Sequence, residues 1–205
     1  DNLTGYLQPK IAINYAVTDS YHHNFSLGNR TYIFKDEDFN LEPRQLDLIH
    51  FSNLRTRDNQ SFAFGIQYRF REVFDNQKHN ELRLTQQYNI TSKPRIIRFG
   101  HRLRSEQRLL KNLTIHRFRY RFTIDFPLQG EQLDVGETYL VANTEALLNV
   151  AKSLQPQFDQ RFTANLGWLF NESTKFQLGV EYRFENYNSQ TENIFFALTS
   201  LILTL

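Results

Sequence analysis

The feature that most constrains this chain is the stretch HRFRYRFTIDF, residues 116–126. His116, Phe118, Tyr120, Phe122, Ile124 and Phe126 alternate with Arg117, Arg119, Arg121, Thr123 and Asp125. A period of two belongs to a β-strand, whose successive side chains point to opposite faces. A helix would spread arginine and phenylalanine around its whole circumference. A strand puts the rings on one side and the guanidiniums on the other.

The same alternation recurs along the chain. SFAFGIQYRF sets Phe62, Phe64, Ile66, Tyr68 and Phe70 against Ser61, Ala63, Gly65, Gln67 and Arg69. ELRLTQQYNI, FDQRFTANLGWLF and KFQLGVEYRFENY divide in the same way. Turn signals separate the runs: Asp19-Ser20, Asp58-Asn59, Ser92-Lys93-Pro94 and Asn171-Glu172-Ser173. No linker or low-complexity tract intervenes, so residues 1–205 read as one domain. Eleven runs can be marked, near 3–18, 20–34, 43–57, 60–74, 79–91, 95–108, 113–126, 137–150, 157–170, 174–187 and 191–205. They are more than twice the common strand length of about 5–6 residues, and long enough to cross a bilayer at a tilt.

Alternation alone does not say which face is wet. A soluble barrel of the lipocalin type buries its apolar face, and a membrane barrel turns that face outward. The strand length, the aromatic residues near strand ends and a polar face rich in Arg, Glu, Gln and Gly but poor in Lys favour the membrane arrangement. The expected fold is an all-β, antiparallel up-and-down transmembrane barrel. Bacterial single-chain barrels close with even numbers, so twelve strands are expected, with ten as the alternative. Residues 1–8, before Pro9, are read as a further strand or a segment in the lumen.

Pointing inward, Arg69, Arg83, Arg98, Arg102, Arg104, Arg117, Arg119, Arg121, Arg161 and Arg183 would fill much of a narrow lumen. Glu81, Glu106, Glu145, Glu181 and Glu185 would neutralise part of that charge. The expected result is a structural ion-pair plug; an anion-selective constriction is the alternative, since rings of Arg favour anions. Phe62, Phe64, Trp168, Phe170, Tyr182, Phe184 and Tyr187 are the expected interface aromatics.

Composition limits the chemistry. The 205 residues include no Cys, which removes disulfides and thiolate sites, and a net charge of +2 gives no whole-molecule case for polyanion binding. Nucleic acid is not an expected partner, because the rings and guanidiniums of 116–126 face opposite ways and bases could not stack where phosphates are held. Met is absent even at position 1, which fits an exported chain whose signal has been removed. The apolar run IFFALTSLILTL is too short for a membrane helix. Mean hydropathy of −0.55 averages two unlike faces and decides little.

RLRSEQR (102–108), HRFRYRFTIDFPL (116–128), YLVANTEALLN (139–149) and FDQRFTANLGWLFNESTKFQLGVEYRF (158–184) together resemble an uncharacterised family of Gram-negative outer-membrane β-barrels, the domain of unknown function numbered twenty-four-ninety. The likeness runs from about residue 60 to the end. It implies a barrel fold and an outer-membrane location, and brings no catalytic residues.

Among chemical candidates, His50 and Ser52 project to one side of a strand, a spacing that resembles the His-x-Ser of outer-membrane phospholipases and lipid A deacylases. Activation of the serine needs a base within about 2.6–3.2 Å and a third group to orient it. No such group is evident on SFAFGIQYRF. His22 and His23 are adjacent and face opposite ways, while His101 and His116 are placed to approach across neighbouring strands without a carboxylate at ligand spacing. The acidic loop 36–38 lacks calcium-loop spacing. No metal or cofactor is expected. The functional expectation is a non-enzymatic outer-membrane barrel, a structural or accessory subunit of an envelope complex, in contact with outer-membrane lipids and other outer-membrane or periplasmic proteins. His50, Ser52 and Asn29, polar on apolar stripes, hint at such a neighbour. A narrow anion-preferring channel and a lipid hydrolase using His50 and Ser52 are the alternatives.

Overall fold

A computed structural model describes residues 3–35, 38–152 and 154–205. Eleven strands form one meander: β1 Leu3–Ala16, β2 Tyr21–Phe34, β3 Glu42–Arg57, β4 Gln60–Phe70, β5 Glu81–Ser92, β6 Arg98–Leu109, β7 Thr114–Pro127, β8 Thr138–Ala151, β9 Gln157–Asn171, β10 Thr174–Glu185 and β11 Glu192–Thr204. The sheet closes into a barrel in which every sequential neighbour is antiparallel and β1 meets β11 in parallel.

The parallel seam follows from the count. In a meander the strand direction reverses at each step, so the first and last of an odd number run the same way. Here Tyr6 lies opposite Phe196 and Lys10 opposite Ser200. The barrel therefore has eleven strands where an even count of twelve was expected. Residues 3–8 add no further strand, because β1 runs on through Pro9. A proline cannot donate to a ladder, and the β1–β2 pairing, in register at Leu7–Thr31 and Lys10–Gly28, records no partner at Gln8 or Pro9.

One end of the barrel carries the connections 17–20, 58–59, 93–97, 128–137 and 172–173; we call it the turn end. The other, the loop end, carries the β2–β3, β4–β5, β6–β7, β8–β9 and β10–β11 connections.

The two faces separate as the alternation requires. Phe118 and Phe62 are 50% and 54% exposed on the outer wall, whereas Glu81 and Glu106 are 1% exposed on the inside. The inner wall is also divided along the barrel axis. Toward the turn end it is mostly small and neutral, with Ala12, Asn14, Asn24, Ser26, Ala63, Gly65, Asn89, Gly100, Asn165 and Gly167. Toward the loop end it is dense with arginines and carboxylates.

Candidate functional site in the barrel lumen

Three buried glutamates organise the loop-end half. Glu81, at the start of β5, receives Arg83 at 2.6 Å, Arg108 at 2.7 Å, Arg71 at 3.2 Å and Arg69 at 3.8 Å. Glu106 on β6 receives Arg119 at 2.8 Å, Arg104 at 3.3 Å and Arg83 at 3.6 Å. Glu145 on β8 receives Arg119 at 2.5 Å, Arg121 at 2.9 Å and Arg161 at 3.9 Å. Arg119 thus bridges two carboxylates, and Arg161 passes the lattice on to Glu185 at 3.6 Å. Arg183 holds Glu181 at 2.5 Å and Glu185 at 3.3 Å. Arg69 closes the other flank through Asp47 at 2.7 Å. Planar guanidiniums present several donors in a fixed fork, so each can serve two acceptors where a lysine would offer one point charge.

Three of the sequence-predicted arginines stand apart. Arg98 pairs with Asp125 at 2.9 Å at the turn-end mouth. Arg102 donates to Asn89 at 3.1 Å, and Arg117 donates to Asn149. Among the described residues, Arg102 and Arg117 make no ion pair.

Sequence reading missed several members. Asp47, Arg71 and Arg108 sit in the lattice, and Arg30 and Lys10 face the same lumen. Asp47 obeys the same parity as its neighbours, since Gln45 and Asp47 alternate with Leu46 and Leu48. The lumen also holds an aromatic cluster at the seam, Tyr6, Tyr32 and Phe196, with Phe196 wholly buried. Arg183 lies 3.9 Å from the centre of the Phe196 ring and Arg30 lies 4.7 Å from it. Phe51 lies over Gly65 and Tyr139 over Gly167, where a Cβ would come within 2.3 Å and 2.2 Å of the rings. The Phe51 ring then meets the Arg104 guanidinium at 5.3 Å, which narrows the lumen at mid-height.

On the outer wall, Phe62, Phe64, Trp168 and Phe170 lie toward the turn end, and Tyr182, Phe184 and Tyr187 toward the loop end. Phe62 packs on Tyr88 with centroids 4.6 Å apart, and Tyr182 meets Phe184 edge-on at 5.0 Å.

His50 and Ser52 share the outer wall but do not bond each other. His23 of β2 stands between them, its Nδ1 3.0 Å from His50 Nε2 and 3.4 Å from Ser52 Oγ. The Tyr21 hydroxyl donates to Ser52 at 3.2 Å. One nitrogen of His23 faces both neighbours, and among the described residues no carboxylate joins the group. The polar groups beside His50 and Ser52 come from β2 and not from β4, the strand on the other edge of β3. His101 and His116 do not approach each other. His101 pairs with Phe122 and His116 with Gln107, six rungs apart, or roughly 20 Å. Among the described residues no three His, Cys, Asp or Glu side chains are placed to hold a metal. Two of the three acidic residues of the loop 36–38 lie outside the described residues.

Fold and site together define a closed, up-and-down β-barrel with an apolar outer belt and an ion-paired lumen. The chain belongs to the family described as protein of unknown function (DUF2490), which it matches over residues 9–193. Among solved structures it is similar to OmpT (in-vitro folded), an outer membrane protein of Vibrio cholerae in its trimer form, at 10% identity and a TM-score of 0.45, over 84% of this chain and 78% of that one. No curated protein matches the sequence.

Proposed function

We propose that the chain is an integral outer-membrane protein without enzymatic activity, a rigid barrel serving as a structural or accessory subunit of an envelope assembly. The observation that carries this reading is the sorting of side chains: exposed Phe62, Phe64, Leu103, Phe118 and Phe162 ring the outside while the arginines stay inside. An Arg facing lipid at the bilayer midplane costs about 2–4 kcal/mol. Outer-membrane barrels have short periplasmic turns. Four of the five turn-end connections have five residues or fewer, Asp58-Asn59 and Glu172-Ser173 being the shortest, which favours a periplasmic turn end.

The lattice around Glu81, Glu106 and Glu145 fills the loop-end half, so the barrel is a poor conduit. A protein neighbour is favoured by polar groups on the outer wall. Besides Tyr21, His23, His50 and Ser52, Gln86 and Gln107 exchange two amide hydrogen bonds at 3.1 Å across β5 and β6. Asn29 donates to the Gln45 carbonyl at 3.2 Å. Polar side chains at a lipid-facing level gain from a partner able to hydrogen-bond them.

The test has two arms. Membrane fractionation places the chain, and the reconstituted protein in planar bilayers gives no unitary conductance steps. Stable anion-selective steps would overturn the closed-lumen reading in favour of a channel.

A further inference from the structure

We propose that the turn-end half of the lumen is a blind vestibule that binds a small multivalent oxyanion such as inorganic phosphate, on a floor made by Lys10, Arg102, Arg104 and Arg121.

Arg102 lies directly opposite Arg121, and Arg104 directly opposite Arg119. Like charges facing each other across a ladder are destabilising. Lys10 enters from the opposite wall, within electrostatic range of Arg104, Arg121 and Arg102. Three carboxylates answer this block: Glu106 and Glu145, both shared with arginines of other strands, and Asp47, which acts on Lys10 from a distance while paired with Arg69. Among the described residues Lys10 and Arg102 have no carboxylate partner.

Arg102 spends its Nε on Asn89, and Arg121 spends its Nε on Glu145. Their terminal nitrogens and the Lys10 ammonium have no hydrogen-bond partner among the described residues. Two planar forks and an ammonium suit a tetrahedral oxyanion, which accepts several charge-assisted bonds at once. The turn-end inner wall above these residues is mostly small and neutral, and at its rim, on the β1, β2 and β11 side, lies a cavity of about 650 Å³ bounded by Asn14, Ala16, the 17–19 turn, His22 and Thr204. Beyond the floor, the Phe51 ring against Arg104 and the loop-end lattice narrow the lumen. The site depends on the barrel interior and on no membrane partner or conductance, so its failure and that of the proposed function are distinguishable.

The test is calorimetric titration of the folded barrel in uncharged detergent with sodium phosphate, at constant ionic strength set with sodium chloride. Wild-type protein binds phosphate at one site and melts at a higher temperature in its presence. Arg102→Gln with Arg121→Gln weakens binding by about tenfold or more, because charge-assisted donors are lost. Lys10→Gln, away from the lattice, weakens it too and supplies the answer if the arginine variant does not fold. Absence of phosphate binding by the wild type, or equal binding by folded Lys10→Gln, overturns the proposal.

Discussion

The Phe51 ring lies flat against Gly65 of the neighbouring strand, so close that a Cβ at position 65 would come within 2.3 Å of it. The absent side chain makes room for the ring to cross the lumen and meet Arg104. Gly65→Ala should therefore push Phe51 aside and cost about 1–3 kcal/mol, the usual penalty for overpacking. A double-mutant cycle with Phe51→Ala checks this in thermal unfolding. The alanine at 65 should cost much less once the ring is gone, and an unchanged cost would mean the close approach is unimportant.

Glu145 is 2% exposed and is the acceptor for Arg119, Arg121 and Arg161. Removing one member of a buried ion-pair group leaves the others uncompensated, at about 3–5 kcal/mol. Glu145→Gln should lose stability on that scale in denaturant unfolding. The Glu185 side chain is 30% exposed, so bulk solvent can screen its charge. Glu185→Gln should cost clearly less, and equal losses would refute the view that burial sets the cost.

Parity made much of this architecture legible. The eleven alternating runs are the eleven strands, displaced at their ends by a few residues. The run near 60–74 stops at Phe70 because the chain then turns, with Phe74 bonding the Arg71 carbonyl. Parity failed where both faces of a strand are apolar. In β11, Ile194 and Phe196 point inward and Phe195 and Ala197 outward, and over 194–198 no polar residue marks the difference. Pairing partners were not legible either. Whether Arg161 meets Glu145, Glu185 or both depends on register across three strands, which no local pattern carries. Asp47, in contrast, was readable from its neighbours alone.

The outer belt gives a depth-dependent expectation. Phe118 sits inside the belt, at the fifth of the fourteen positions of β7, and Phe170 beside the turn end. In a bilayer, Arg costs about 2–4 kcal/mol at the midplane and about 0–1 near the interface. Phe118→Arg should therefore fold poorly into phospholipid vesicles while Phe170→Arg folds almost normally. The readout is the fraction of heat-modifiable, folded band on a gel. Equal folding of both variants would contradict the proposed membrane placement.

His23, His50, Ser52 and Tyr21 form the remaining group that resembles chemistry. A hydrolase needs a base free to take the serine proton and donors aimed at the developing oxyanion. Here the single nitrogen of His23 nearest Ser52 is also engaged by His50, and Ser52 already accepts from Tyr21. The backbone of β2 and β3 around them is paired in the ladder, with Ser52 opposite His23 and Phe64, so its amides are committed. Ser52→Ala should leave the phospholipid and lipid A profiles of cells unchanged by mass spectrometry. If the group instead meets a protein neighbour, His50→Leu should reduce co-purification of that neighbour from native membranes while the barrel stays folded. Loss of a lipid-cleavage product in the Ser52→Ala strain would reverse the assignment and make the outer wall an active site.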